Sequence, residues 1–272
     1  MQVLAKEHTG FQYFFTDIQE LDVCNENDVE SFITQNAIDI VINCAAFTAV
    51  DKAESSKELC ARLNSQAPLF LARAIERRNG EMIQISTDYV FDGSANTPYD
   101  ETVPTSPIST YGRTKLEGER NVLEQCRKAA VIRTAWLYSS FGNNFVKTML
   151  RLGKEREQLG VVFDQTGTPT YARDLANAIF VMLEQGIVPG IYHFSNEGVA
   201  SWYDFTKAIH KTAGITTCQV RPIRSCEYPT PAARPTYSVL DKNKWKQTYH
   251  CDIPHWADSL DKCITILKSI KE

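Results

Sequence analysis

Short, nearly continuous apolar runs alternate along the chain with longer stretches in which apolar residues recur every three or four positions, the pattern of buried parallel strands joined by amphipathic helices. The runs fall at 38–44, 82–86, 129–134 and 191–194, with an aromatic strand candidate at 11–15. The run 38–44 is rich in β-branched residues and is expected to be buried on both faces. Helical periodicity starts at Asp28 and carries Val29, Phe32 and Ile33 towards Asn36; it returns over 51–78 with few breaks and begins again near Ser109 or Thr110. Further helices are expected from Asn144 to Arg151, from a cap at Asp174 to Glu184, over 202–212 between Ser201 and Gly214, and over 256–270. Between them, 92–107 with Gly93, Pro98, Pro104 and Pro107 predicts a long surface loop, 164–170 a rigid turn, and 220–235, with four prolines, a solvated connector. The alternation predicts an α/β fold: a doubly wound parallel sheet with helices on both faces, and a smaller lobe built mainly from the last third.

A chain of 272 residues with 43% hydrophobic and 23% charged side chains can bury a sizeable core. The net charge of -4 and pI near 5.8 argue against nucleic acid or an anionic membrane as the main partner. No apolar run approaches the ~20 residues that span a bilayer, so a soluble, cytoplasmic protein is expected. The eight cysteines show no C-x-x-C pair and no histidine spacing suited to zinc. They read as packed free thiols, Cys44 in Ile-Asn-Cys-Ala among them.

Candidate chemistry concentrates between the run 82–86 and the helix that follows the long loop. The strand delivers Thr87 to its carboxyl end, where open α/β sheets bind ligands. Tyr111 and Lys115 are four residues apart, about one helical turn, on one face. A lysine cation near a phenol favours the phenolate and lowers its pKa, and such a pair can act as general acid or base. A surface Tyr-Lys pair on an amphipathic helix is the plainer alternative.

Ser86-Thr-Asp-Tyr-Val-Phe-Asp-Gly93, Tyr111-Gly-Arg-Thr-Lys115-Leu-Glu-Gly-Glu119 and Arg133-Thr-Ala-Trp136-Leu-Tyr138 together resemble the extended short-chain dehydrogenase/reductase family. The likeness continues through 43–54, 142–151, 164–170 and Arg234-Pro-Thr-Tyr-Ser238-Val-Leu-Asp241, over nearly the whole chain. It implies a Rossmann-type sheet, with a dinucleotide-binding domain over 1–150 that returns at about 171–190, and a substrate lobe from 151–170 and 191–272. It implies NADPH or NADH as cofactor, a nucleotide-sugar substrate, and reduction of a sugar ketone at C4, as in dTDP-4-dehydro-L-rhamnose. In that scheme Tyr111 supplies the proton, Lys115 lowers the tyrosine pKa and holds the nicotinamide ribose, and Thr87 polarises the carbonyl.

The resemblance further implies that Asp22 and Val23 approach the adenosine, although Asp22 is equally a turn residue or local cap. Ala45 and Ala46 would pass under the cofactor, or else only allow close helix packing. Asn64 would lie near the active site, and Asp88, Tyr89, Trp136, Asn144 and Arg234 would line the sugar-nucleotide pocket, with Trp136 as a flat wall and Arg234 on the diphosphate. Dehydratases of the superfamily carry an acid pair after the threonine; Asp88 is followed here by Tyr89, which disfavours elimination. An epimerase of the same fold and a non-catalytic regulatory subunit stay open, as do a monomer or homodimer and a magnesium ion whose ligands cannot be matched. One feature departs from the family: the first glycines are Gly10 and Gly80, so no glycine-rich pyrophosphate turn can be written. Met1 to Lys6 resembles the end of the helix that follows that turn, which implies that the first strand and glycine loop are missing from this chain. A chain without them is expected to have open strand edges and to bind cofactor poorly or not at all.

Overall fold

A computed structural model describes residues 1–270. After a 3-10 turn at Leu4–Lys6 come helix α1 (Glu26–Gln35), strand β1 (Ile40–Asn43), α2 (Val50–Ala53) and α3 (Lys57–Ala61), which runs through a π turn at Arg62–Gln66 into α4 (Ala67–Arg77). Then follow β2 (Glu81–Thr87), α5 (Thr110–Gln125), β3 (Ala129–Thr134), β4 (Leu137–Tyr138), α6 (Phe145–Glu155), β5 (Gln158–Val162), β6 (Thr166–Gly167) and β7 (Thr170–Tyr171). The chain closes with α7 (Ala172–Gln185), β8 (Gly190–His193), β9 (Ala200–Ser201), α8 (Trp202–Ala213), β10 (Gln219–Ile223), α9 (Asn243–Tyr249) and α10 (Trp256–Ser269).

The main sheet has the order β1-β2-β3-β8, and every pairing is parallel. Parallel neighbours need crossovers, and helices supply them on both faces. Successive residues of β2 point to opposite layers. Met82 packs with Val29 and Ile33 of α1, Leu71 and Ile75 of α4 and Val122 of α5. Ile83 packs with Ile179 and Met182 of α7 and Trp245 and Tyr249 of α9. A separate core joins α6, α8 and α10 to the parallel pair β5 and β10, around Phe205, Ile209 and Ile264. No helix among the described residues is long and apolar enough to cross a membrane.

Several expectations change. The segment 11–15 is extended but forms no ladder, because an extended segment becomes a strand only beside another that takes its hydrogen bonds. Phe14 and Phe15 are exposed, while Tyr13 packs against the Phe180 region and donates its hydroxyl to the His8 carbonyl at 2.6 Å. β1 is half-buried at Ile40, Val41 and Ile42 rather than buried on both faces, since it stands at the sheet edge. Cys44, just beyond it, is exposed, as is Cys226, whereas Cys60, Cys126, Cys218 and Cys263 are buried. Asp174 does not cap α7, whose N-cap is Tyr171. Its carboxylate instead accepts from Asn196 Nδ2 at 2.7 Å and from the Ser259 hydroxyl, joining α7 to α10. The connector 220–235 begins as part of β10, whose ladder with β5 supplies regular structure that four prolines had concealed.

Candidate active site

The end of β2 and the start of α5 are built to meet. Thr87 closes the strand and caps a 3-10 turn at Asp88–Val90; its Oγ1 accepts from the Tyr89 amide at 3.2 Å and donates to Asp88 Oδ1 at 3.0 Å. α5 starts at the Ser109 cap, whose hydroxyl accepts from the Gly112 amide at 3.1 Å. Glu54, just past α2, accepts from the Thr110 amide at 2.8 Å and from its hydroxyl at 2.7 Å, which pins the helix start from outside. Gly112 lies against the Tyr89 carbonyl: a Cβ there would stand 2.2 Å from that oxygen. Only glycine permits this approach.

The result is a buried cluster of hydroxyls with one cation. Tyr111 is buried and packs edge-on against Tyr89 with ring centroids 5.5 Å apart. Burial pushes its phenol above the ordinary value, a hydrogen bond with Thr87 pulls it back, and the neighbouring Asp88 and Tyr89 add to the rise. The Lys115 ammonium, also buried, donates to the Ile85 carbonyl at 2.6 Å. Burial brings it down to about 8, with the Glu119 carboxylate opposing the fall. Burial is thus the largest influence on the Tyr111 phenol and favours its protonated form; the groups that shift it do not include Lys115. Burial also raises the Asp88 carboxyl to about 6 despite its bond from Thr87, and raises the Tyr89 phenol to about 12.

The carboxyl end of β1 borders this cluster with small side chains. Ala45 is exposed, Ala46 half-buried, and the Ala45 amide donates to Asn43 Oδ1 at 3.0 Å. Small residues at this strand end leave room for the nicotinamide-ribose half of a dinucleotide. The pyrophosphate half finds no glycine turn in these residues: Gly10 stands in open space, and Gly80 is wedged between the Asp39 carbonyl and Ile75.

The family model described as the RmlD substrate binding domain matches residues 2–269. The chain belongs to the RmlD family. It is 40% identical over 267 residues to a dTDP-4-dehydrorhamnose reductase of Aggregatibacter actinomycetemcomitans, covering 94% of this chain and 91% of the relative. It is 41% identical over 242 residues to a probable dTDP-4,6-dihydroxy-2-methyloxan-3-one 4-ketoreductase of Streptomyces antibioticus, covering 88% and 82%. The crystal structure of dTDP-4-dehydrorhamnose reductase from Bacillus anthracis in complex with NADP superimposes with a TM-score of 0.93 at 37% identity, covering 97% of this chain and 94% of that one.

Within this RmlD-family chain the remaining candidates separate into those at the cluster and those used elsewhere. Arg234 lies at the cluster: its Nη2 donates to Asp51 Oδ2 at 2.7 Å, and its charge and hydrogen bond hold back the rise of the Tyr89 phenol. Trp136 takes a positive φ of 48° and stacks on Trp202 with centroids 3.5 Å apart, so one of its two faces is already covered. Gly167 touches its edge, where a Cβ would come within 2.6 Å of the indole. Asn64 is fully engaged in structure: Oδ1 accepts from the Phe47 amide at 2.8 Å, while Nδ2 donates to the Phe47 carbonyl at 3.1 Å and to Thr114 at 3.2 Å. It ties the segment after β1 to α5. Asn144 caps α6 through Lys147 and spends its amide protons on the Ser139 and Phe141 carbonyls at 2.7 and 3.3 Å. Asp22 makes the local turn, accepting from the Cys24 amide at 2.9 Å, and Val23 packs on the α1–α4 core. Arg151 is exposed and paired with Glu155 at 2.7 Å. Among the described residues no cluster of three or more histidine, cysteine or acidic side chains could hold a metal.

Sequence reasoning missed Ser86, Glu119 and Arg133 as a unit. A signal was present in the spacing: Tyr111, Lys115 and Glu119 recur every four residues, so the buried face of α5 carries a carboxylate.

Proposed function

We propose that the chain is an NADP-dependent reductase acting on the C4 ketone of a dTDP-linked deoxysugar, dTDP-4-dehydro-L-rhamnose foremost. The observation that carries this reading is the burial of Tyr111 and Lys115 one turn apart on the face of α5 that Lys115 fastens to the Ile85 carbonyl of β2, two residues before Thr87. The cofactor supplies the hydride. Tyr111 Oη can donate to a ketone oxygen at this strand end, and Thr87 can join it by turning its one hydroxyl proton from Asp88 to the substrate. As that oxygen gains charge, Tyr111 Oη releases its proton to it; burial keeps the phenol protonated and neutral at neutral pH until then. The Lys115 ammonium then stabilises the phenolate left behind. Arg234, whose Nη2 is held by Asp51, would offer its remaining N–H groups to a diphosphate oxygen. A cytoplasmic location is inferred with this reading, because nucleotide sugars and reduced nicotinamides are cytoplasmic reagents.

The Streptomyces antibioticus relative favours a second sugar, since its name specifies a different 4-keto substrate on the same nucleotide. Both readings use one site and one chemistry. The test follows the absorbance of reduced nicotinamide with the purified chain, NADPH or NADH, and each of the two dTDP-ketosugars. Turnover with NADPH and the dehydrorhamnose is expected, slow and with a high cofactor KM because the described residues offer no glycine turn to the pyrophosphate; turnover only with the other sugar reassigns the substrate. Cofactor binding without turnover on any dTDP-ketosugar sinks the reductase reading.

A further inference from the structure

Ser86, Arg133 and His193 stand side by side across three parallel strands, Ser86 opposite Arg133 and Arg133 opposite His193. All three are buried, and α5 lays Glu119, 1% exposed, over the row. Arg133, 2% exposed, donates from Nε to both Glu119 oxygens at 3.0 and 3.2 Å and from Nη2 at 2.7 Å. The Ser86 hydroxyl donates to the same carboxylate. On the far side Arg133 Nη1 lies 3.4 Å from His193 Nε2, and His193 Nδ1 lies 2.9 Å from the Tyr99 carbonyl. Burial and the arginine hold this imidazole near 3, so it is neutral, its Nδ1 proton on the carbonyl and its Nε2 accepting. Every member of the row is thereby satisfied.

A buried ion pair carries a large desolvation penalty and is weak evidence for stability. Its position is informative instead. Glu119 lies one turn beyond Lys115 and two beyond Tyr111 on the same helix face. Lys115 grips the Ile85 carbonyl and Glu119 grips the Ser86 hydroxyl, so α5 is clamped to β2 at two adjacent residues immediately before Thr87. We propose that Glu119 and Arg133 are positioning residues: with Ser86 they lock the register of α5 on β2 and so hold the Tyr111 phenol against Thr87. The proposal rests on the reductase reading for its kinetic consequence alone.

Ser86→Ala tests it cleanly, because Glu119 stays paired with Arg133 and no charge is orphaned. In the full chain, hydrogen exchange of the amides of 110–115 is expected to speed up about fivefold to tenfold, the equivalent of one lost buried hydrogen bond. The kcat should fall about 10- to 100-fold through misplacement of the phenol, with the cofactor KM within about twofold. Glu119→Gln adds a readout that a purely structural contact would not move. The groups facing the Lys115 ammonium are Glu119 on its own helix, Cys44 beyond β1 and Cys60 on α3. Loss of the carboxylate therefore moves the basic limb of the kcat profile to lower pH, and Glu119→Asp restores part of the shift. Parent-like exchange and kcat in Ser86→Ala overturn the proposal, as does an unmoved basic limb in a folded Glu119→Gln protein. Should Glu119→Gln fail to fold, Ser86→Ala decides alone. If the parent turns over no ketosugar, the reductase reading falls, and the exchange measurement still decides the clamp.

Discussion

At the scale of single residues, burial does more than charge pairing. Tyr111 keeps its proton because it is out of water, which suits the proton donation proposed for it. Tyr111→Phe should lower kcat by about 10²- to 10⁴-fold, the usual share of a general acid, with cofactor affinity nearly unchanged. Steady-state kinetics beside a cofactor titration check this, and retained turnover removes the tyrosine from the reaction. Asp88 shows the cost of the same environment. Its folded pKa, about 6, lies above the ordinary 3.8, so the folded state holds the proton more tightly than the unfolded one. Stability therefore falls as pH rises from about 4 to about 6 and stays reduced above. Asp88→Asn keeps the acceptor for Thr87 and removes the charge. It should raise the thermal midpoint at pH 7, by the equivalent of about 2 to 3 kcal/mol, and leave it unchanged near pH 4. A gain of equal size at both pH values would mean that packing, not ionisation, sets the difference.

At the scale of elements, α5 is a helix that gives up intrinsic stability for close contact. Two of its residues are glycine, and each meets a neighbouring backbone carbonyl: Gly112 that of Tyr89, Gly118 that of Asn64. Glycine inside a helix costs about 1 kcal/mol relative to alanine, so propensity alone would make Gly118→Ala stabilising. A Cβ at Gly118 would lie 2.0 Å from the Asn64 carbonyl oxygen, and backbone cannot swing aside as a side chain does. The substitution should instead destabilise by about 1 to 3 kcal/mol, read by chemical denaturation, and loosen the π turn that presents Asn64. The ends of helices were legible from sequence where their caps are local. Ser201 forms a full capping box with Asp204, and Gly214 closes α8 at φ 76°. Asp174 misled because an acid near a helix start reads as a cap, while its partners, Asn196 and Ser259, lie far along the chain.

At the scale of the whole molecule, late segments complete a site begun by early ones. Asp51 and Arg234, 183 residues apart, meet beside Tyr89. The long loop after β2 is held by the returning chain: the Tyr99 amide donates to the Val239 carbonyl at 2.9 Å, and the Asp241 amide to the Tyr99 carbonyl at 2.7 Å. Arg234→Lys keeps the charge but loses the fork. It should raise the KM for the nucleotide sugar about tenfold, as expected for one lost charge-assisted hydrogen bond, and leave the cofactor KM unchanged. An unchanged sugar KM would remove Arg234 from substrate binding. What the sequence by itself determined is local: the period of β2, the punctuation of the loop 92–107, and the spacing that puts Tyr111, Lys115 and Glu119 on one face of α5. Those features depend on neighbours within a few residues, and backbone geometry makes them repeat. Only the tertiary structure decided which partner each polar side chain took. Asn64 and Asn144 became anchors of backbone, Trp136 gave one face to Trp202, and Glu119 found Arg133. It also left 11–15 without a ladder and β1 half-buried at an edge, because pairing and burial belong to the element alongside, which no local pattern records.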